Sequence, residues 1–506
     1  MVEIELKFQV PAVQRAAVER ALGTRAARTT RLRAQYFDTA DRRLGMAGLA
    51  LRLRQEGRRW VQTAKGGGDG ALHRLEHEVW LPTQRGVPRI DVTRHAGSGA
   101  GEALTAALGP DAPELLPLFE TDVHRTHRCV RVAGASIELA LDLGVIRAGA
   151  AQQPVCELEF ELLSGPLASL LALASRWARR HALWLDVRSK AERGDLLARG
   201  LRASPPATAV APLLADDTTP DTALRTIVRS CLAQILPNAA ALAAGCGEAE
   251  HLHQARVGLR RLDTALREFG AWSPAVDPAW RPALRQRFAA LGQARDADAI
   301  GEWLQPALVA AGAPLTELPL EAGRSAAAAA LREAHTNALL LELMAFAHGP
   351  SVASSEVAGA AGQERLARPA AALLTRLHRL VEHDGARFLT LDDAERHRTR
   401  RRLKRLRYGL EFFAALFPAK AVCRYLAQLR PAQDALGRYN DAAVARDTFQ
   451  RHLEHDARAW FALGWLAAGR EQWLQDAARA LAALGKVKPG WTHHRHGTRR
   501  HEPSGT

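Results

Sequence analysis

Three glutamates at alternate positions, in the run Val155-Cys156-Glu157-Leu158-Glu159-Phe160-Glu161-Leu162, constrain this chain more than any other feature. Alternation with period two marks a strand whose successive side chains point to opposite faces. Glu157, Glu159 and Glu161 then share one face, with Leu158 and Phe160 on the other. Like charges side by side on one face cost energy unless something compensates them. The construction recurs. Val2–Phe8 sets Glu3, Glu5 and Lys7 against Val2, Ile4, Leu6 and Phe8, and Ala50–Arg54 sets Arg52 beside Arg54. Arg74–Trp80 pairs Glu76 with Glu78, and Ser136–Asp142 pairs Glu138 with Asp142. One such strand is an ordinary solvated face. A series carrying both signs suits an antiparallel sheet closed into a barrel with its charges inward. Oxygen-only carboxylate sets suit hard divalent cations such as Mg²⁺ or Mn²⁺. Arginine and lysine suit phosphate oxygens.

The texture changes near residue 200. Short alternating runs give way to long Ala/Leu/Arg stretches of helical period, so the expected class is α+β: a β-tunnel domain over 1–203, then an all-α domain over 219–488. The proline-bearing stretch 204–218 reads as a linker. The Gly/Ala/Ser-rich His348–Gly362 reads as a loop between two helical halves, about 219–347 and 363–488. The tail from Pro489 (489–506) has no apolar pattern and is expected to be disordered. The chain has 506 residues and a net charge of +15, which favours polyanionic partners, although arginine enrichment across a whole proteome gives the same figure. Five cysteines form no C-x-x-C pair, which argues against a disulfide framework or zinc site and suits a reducing, cytoplasmic setting. No run of 18 apolar residues exists, so no membrane partner is expected, and Glu3 and Glu5 interrupt any signal-peptide core.

The first 195 residues carry an ordered set of motifs: Glu3-x-Glu5-x-Lys7, Tyr36-Phe37-Asp38-Thr39, Arg52-x-Arg54, Thr63-Ala64-Lys65-Gly66, Arg74-x-Glu76, Phe119 followed by Arg125, Glu138-x-x-x-Asp142-x-Gly144, Cys156–Leu162, and Ser189-Lys190. In this order they resemble the CYTH, or triphosphate tunnel metalloenzyme, family. The resemblance implies an eight-stranded antiparallel tunnel with helices outside. It implies that Glu3, Glu5, Asp142, Glu157 and Glu159 bind metal and that Lys7, Arg52, Arg54, Lys65, Arg125 and Lys190 bind triphosphate, with Glu76 orienting basic side chains. Lys7 and Glu159 are the candidate catalytic residues. Glu78 and Glu161 are either tunnel residues or lie at its mouth, and Asp38 reads as structural, in a turn after a strand. The chemistry follows from charge: cations and metal neutralise the triphosphate so that a nucleophile can approach in line, and a second metal can polarise the attacking water. The family also includes thiamine triphosphatases and a class of adenylate cyclases.

Residues 219–486 contain an internal repeat. His253-x-x-Arg256-x-x-x-Arg260-Arg261 recurs as His397-x-x-Arg400-x-x-x-Lys404-Arg405, placing His, base and base on one helical stripe. Leu291-Gly292-x-x-Arg295-Asp296 recurs as Leu436-Gly437-x-x-Asn440-Asp441. Tyr408 stands where the first copy has Thr264, so the halves are not equivalent. Between Arg396 and Arg407, eight of twelve residues are Lys or Arg and none is acidic. Like charges one turn apart destabilise a helix, so a repeated basic stripe points to an anion-binding surface. The block resembles a CHAD domain, which implies binding of inorganic polyphosphate through His253, Arg256, Arg260, Arg261, His397, Arg400, Lys404 and Arg405. A zinc site at the two histidines lacks a matching Cys or carboxylate set. Nucleic acid is a rival polyphosphate, but the basic helices have no interleaved aromatics for base stacking, which disfavours it.

The reading that results is metal-dependent (Mg²⁺ or Mn²⁺) hydrolysis of inorganic triphosphate to diphosphate and phosphate, with a polyphosphate-binding helical domain. The alternatives are a polyphosphate-granule scaffold with an inactive tunnel, and a nucleotide-acting tunnel enzyme.

Overall fold

The computed structural model of the protein describes residues 2–66, 72–82, 86–111, 114–292, 300–313, 320–350 and 366–491. Its strands are β1 (Val2–Gln9), β2 (Arg28–Asp38), β3 (Leu49–Glu56), β4 (Arg59–Gly66), β5 (His73–Leu81), β6 (Leu116–Val132), β7 (Ala135–Ala148), β8 (Ala151–Ser164) and the two-residue β9 (Trp184–Leu185). They make one nine-stranded sheet in the order β5-β4-β3-β2-β6-β7-β8-β1-β9. β1 also pairs with β5, Val2 opposite Leu75, and this closes the first eight strands into a ring. The expected tunnel is present. The ninth strand is an addition beside Phe8 and Gln9, outside the ring.

Helices α1 (Arg15–Leu22), α2 (Arg43–Met46), α3 (Gly99–Leu108), α4 (Leu167–His181) and α5 (Lys190–Ala198) belong to the tunnel domain. The apolar alternates of β1, β7 and β8 (Leu6, Phe8, Leu139, Leu141, Leu158, Phe160) are buried in one core with residues of α1 and α4. Each such side chain contributes roughly 1.5–3 kcal/mol on burial. Asp38, at the end of β2, accepts hydrogen bonds from the backbone N–H groups of Thr39 (2.7 Å), Leu44 (2.9 Å) and Gly45 (2.8 Å). It organises the chain around α2, as its reading as structural requires.

The helical domain comprises α6 (Pro220–Ala243), α7 (Ala249–Phe269), α8 (Trp280–Arg287), α9 (Gln305–Ala310), α10 (Leu320–Arg332), α11 (Ala334–His348), α12 (Ala367–Ala386), α13 (Asp393–Phe412), α14 (Ala419–His452) and α15 (Ala459–Gly485). Residues 201–219 form neither helix nor strand, yet they are docked. Asn238 of α6 brackets the backbone of Ala207, His251 of α7 meets the Ser204 carbonyl at 2.9 Å, and Leu214 is buried. Helix α4 packs on α11, and the N–H of Leu185 donates to Asn337 Oδ1 at 2.8 Å. One apolar core therefore runs from the outside of the ring into the helical domain. The ordered chain also continues past Pro489. Trp491 is buried edge-on against Tyr425 and donates to Thr375 Oγ1. The rest of the tail, most of His348–Gly362, and Arg295 and Asp296 of the repeat lie outside the described residues. Among the described residues no helix is long and apolar enough to cross a membrane.

Candidate active site

Strand register decides which charges meet. β1 against β8 sets Lys7 opposite Glu159 and Glu5 opposite Glu161. β7 against β8 sets Asp142 opposite Glu157 and Glu138 opposite Glu161, and β6 against β7 sets Arg125 opposite Asp142. β4 against β5 sets Lys65 opposite Glu76 and Thr63 opposite Glu78. The inward side chains line a cavity of about 880 Å³ that takes in Glu3, Glu5, Lys7, Arg52, Arg54, Lys65, Glu76, Arg125, Asp142, Glu159 and Lys190. Glu78, Glu138 and Glu161 line it too, so Glu78 and Glu161 are tunnel residues.

Asp142, Glu157 and Glu159 form a buried cluster, each offering an oxygen within 4.8 Å of the others. Lys190 reaches all three: 2.6 Å from Asp142, 3.0 Å from Glu159, and in contact with Glu157. Arg125 grips Asp142 through two bonds of 2.7 Å and Glu159 through one of 2.5 Å. Burial pushes these carboxyls up. The charges of Lys190 and Arg125 outweigh it and hold Glu159 well below the usual carboxylate range, and Asp142 below it as well. The carboxylates in turn raise Lys190 and Arg125 against their own burial. Carboxylates outnumber cationic side chains along the cavity wall. An oxygen-only donor set on such a wall fits a hard divalent cation.

Lys190 is delivered by the start of α5. Ser189 caps that helix by accepting from the Glu192 N–H at 3.0 Å. One turn on, Gly194 lies so close to Phe119 that a Cβ there would meet the ring at 2.2 Å. Only a bare backbone lets α5 approach β6 this closely. Arg193, absent from the residues expected at the site, completes the arrangement. It is buried and donates to Glu157 Oε2 at 2.7 Å and to the Pro154 carbonyl at 2.9 Å. Its signal was its place three residues after Lys190, on the same helical face.

Glu3 and Glu5, expected among the metal ligands, stand apart from that three-carboxylate cluster. They gather around Lys65, which contacts Glu3 and lies 3.4 Å from Glu5 and 3.3 Å from Glu76, while Lys7 sits 2.5 Å from Glu5. Burial, with Glu5 and Glu76 nearby, pushes Glu3 up to about 8 despite Lys65. Against its own burial, Glu76 is held down to about 2 by a hydrogen bond from Glu3 and by Lys65 and Arg52. Burial and Glu138 push Glu161 up to about 7.

Arg52 and Arg54 form the adjoining wall. Arg52 donates to Tyr36 Oη at 3.3 Å, with Glu76 and Glu78 at 3.7 and 3.8 Å. Arg54 lies 2.5 Å from Glu56 and 3.2 Å from Glu78. The Nε–H of each is buried with no acceptor among the described residues. An unmatched buried donor costs about 1–3 kcal/mol, more when charged. Both arginines thus carry more donor capacity than the surrounding side chains match.

In the helical domain α13 packs on α7, bringing the two basic stripes together. Burial and the charges of Arg400, Arg260 and Arg256 push Lys404 down to about 6, although Asp441 opposes them. Arg400 lies 3.4 Å from Asp441, and His397 is exposed with Asn440 at 2.8 Å. His253, half-buried, lies on the α7 stripe, one turn before Arg256. Two expected members do not join this cluster. Arg261 is 1% exposed, donates to Gln234 at 3.0 Å and stacks on Phe412. Arg405 turns to the buried carboxylate of Glu268 at 2.7 Å. Consecutive helical residues point about 100° apart, so Arg260 and Arg261, or Lys404 and Arg405, cannot both face one ligand.

The family model for CYTH domains matches residues 1–194, and that for CHAD domains matches residues 226–450. An inorganic triphosphatase of Haemophilus influenzae is 33% identical over 165 residues, 32% of this chain and 44% of that protein, so under half of the relative's length is matched. Among solved structures, a CHAD domain from the plant Ricinus communis is 30% identical, covering 57% of this chain and 98% of its own, with a TM-score of 0.47. A Hippeastrum protein, named as an adenylyl cyclase with a dominant triphosphatase activity, is 18% identical, covering 39% of this chain and 96% of its own, with a TM-score of 0.30.

Proposed function

The chain is a CYTH domain joined to a CHAD domain, and from that premise we propose that the tunnel hydrolyses inorganic triphosphate to diphosphate and phosphate with a divalent metal, while the helical domain binds inorganic polyphosphate. One observation carries the reading. Arg52 and Arg54, each with an unmatched buried guanidinium donor, line the same cavity as Asp142 and Glu159 of the buried carboxylate cluster. A cavity that asks for both an anion and a cation suits a metal-bound polyanion.

Asp142, Glu157 and Glu159, with Glu3 and Glu5 along the wall, would hold Mg²⁺ or Mn²⁺. Such an ion, when bound, withdraws charge from phosphate oxygens and makes bound water more acidic. The chain's own residues do the positioning. Arg52, Arg54, Lys65, Arg125 and Lys190 take the phosphate oxygens and hold the chain in line. Glu76 anchors Lys65 and faces Arg52. Lys7, fixed by Glu5 and opposite Glu159, adds positive charge where the two carboxylate groups meet. The enclosing strands keep bulk water from screening these contacts.

The test is a phosphate-release panel on the purified protein with Mg²⁺ or Mn²⁺. Tripolyphosphate should be cleaved with a kcat/KM at least tenfold above ATP and thiamine triphosphate. A preference for either organic triphosphate would replace the inorganic substrate, and no release from any would favour the scaffold reading.

A further inference from the structure

A second cavity, of about 600 Å³, opens in the helical domain where several helices meet. Arg400 and Lys404 of α13 and Gln433 of α14 line it together with Trp465 and Trp473 of α15 and Trp303 from the helical turn Ile300–Leu304. The indole rings are mutual neighbours, with centroids 5.6–6.5 Å apart, and none of the pairs is parallel: 47°, 49° and 89° separate their planes. They are walls of a box rather than a stack. Each is half-buried, so each keeps part of its surface towards the opening. The orientation of Trp473 is built in: its ring lies across Gly469, where a Cβ would meet it at 2.5 Å.

Packing alone accounts for part of this, since the rings also cover Leu304, Ala445 and Phe449. It does not account for the polar groups. Lys404 has no carboxylate at salt-bridge distance among the described residues, and it stands within the field of Arg400, Arg256 and Arg260. The buried Nε1–H of Trp303 has no acceptor among the described residues. An inorganic phosphate chain would use the cations but gain nothing from three indoles. An alkylammonium would use the indoles and the lining carboxylates of Asp434 and Asp441 but meet three basic side chains, Arg400, Lys404 and Arg438, so the balance of the lining favours an anion.

We propose that this cavity binds a nucleoside polyphosphate, its base against Trp465 and Trp473 and its phosphates on Arg400 and Lys404. The inference rests on the anion-binding reading of the basic stripe and adds a ring-recognising element to it. The Gln433 amide, whose Oε1 already accepts from Arg407 at 2.9 Å, keeps its N–H groups for the base edge. The cavity volume falls within the range of about 300–1,000 Å³ typical of small-molecule sites. The α7 and α13 sequences give no hint of it, because the aromatics arrive from helices far along the chain.

The experiment is calorimetric titration of the full chain with ADP and, separately, inorganic diphosphate, in EDTA to silence turnover. ADP should bind at least about tenfold more tightly. Trp473→Ala and Trp465→Ala should each weaken ADP about fivefold to a hundredfold, the range of base–aromatic stacking, and move diphosphate less than twofold. Trp473→Phe, which keeps a ring and guards against a misfolded alanine variant, should retain most ADP affinity. Phosphate release from tripolyphosphate should be unchanged in all three. Equal affinity for ADP and diphosphate, or ADP binding indifferent to both alanine variants, overturns the proposal while leaving the anion surface standing. Failure of ADP, diphosphate and long-chain polyphosphate alike overturns the anion surface as well. A single-stranded oligonucleotide that binds more tightly than ADP at matched phosphate and salt would replace the proposed occupant and overturn it.

Discussion

Replacing Arg52 with alanine tests the anion wall most directly, because the structure separates its cost to stability from its cost to catalysis. Its carboxylate neighbours stand at 3.7 and 3.8 Å, beyond hydrogen-bond length, and Tyr36 lies at a long 3.3 Å. These long contacts hold Arg52 more loosely than a close buried pair, whose loss costs about 3–5 kcal/mol, and removing the orphaned Nε–H relieves a cost. Arg52→Ala should therefore shift the melting temperature by only about 3 °C or less. Catalysis should respond differently. A charge-assisted contact to phosphate contributes about 1.5–3 kcal/mol, so loss of the guanidinium fork should lower kcat/KM for tripolyphosphate about tenfold to a hundredfold or somewhat more. Arg52→Lys should recover charge without the planar fork and fall between. Arg125→Ala is the contrast: it strips a bidentate partner from the fully buried Asp142 and should cost stability as well as activity. Phosphate-release kinetics and thermal melts on the three variants decide the matter. A folded Arg52→Ala enzyme within threefold of wild type would mean that the anion is held elsewhere.

Chelation with EDTA should abolish phosphate release, and Glu159→Gln should nearly do so while the far-ultraviolet circular dichroism is unchanged; full activity in chelator would refute the metal site. Charge reversal of Arg400 and Lys404 together should remove most binding of long-chain polyphosphate, and wild-type affinity should fall steeply with salt as counterions are released; salt-independent binding would refute an electrostatic surface. Arg261→Met, by contrast, should lower the melting temperature and leave polyphosphate affinity within twofold, because that guanidinium is held by Gln234 inside the domain. Buried His95 is pushed down to about 4 by burial and by His77 and Arg94. Its unfolded value near 6.5 is the higher one, so its stabilisation is complete above pH 6.5 and is lost as pH falls towards 4, by about 3 kcal/mol at most; melts should steepen over that window in wild type and flatten in His95→Gln, and identical profiles would refute the assignment.

The strands legible in the sequence were those with one apolar and one charged face: β1, β3, β5, β7 and β8. β2, β4 and β6 escaped the same reading for a physical reason. β6, for example, carries Thr121 and Arg125 on its tunnel face and His124 and Arg128 on the other, so no alternation of polarity survives. Closure of the ring was implied by the charges, because so many inward carboxylates need a shared interior. The division of those carboxylates into two groups was not legible, since it depends on Lys190 arriving from a helix after the last long strand and on Lys65 arriving from β4. Arg193 shares the helical face of Lys190 in the sequence, but its burial depends on the close approach permitted by Gly194. In the helical domain the stripe of period 3.6 located the cluster of basic side chains, but Arg261 and Arg405 lie one step off it and were claimed by Gln234 and Glu268 instead.

These assignments bear on how separable the two domains are. Helix α5 carries Lys190 and Arg193 into the carboxylate cluster, and its other side faces the connecting stretch, where Ser204 Oγ donates to Glu192 at 2.6 Å. That stretch is in turn fixed by His251 and Asn238, which belong to the helical domain. Leu170 and Leu171 of α4 are buried in the same core as Leu339 and Leu343 of α11. A chain cut near residue 203 would expose that apolar face and free the segment that braces α5. The position of Lys190, set by the close packing of Gly194 on Phe119, is the part of the site most sensitive to such loosening. The helical domain is therefore a structural support of the tunnel wall that carries Lys190, whatever it binds itself.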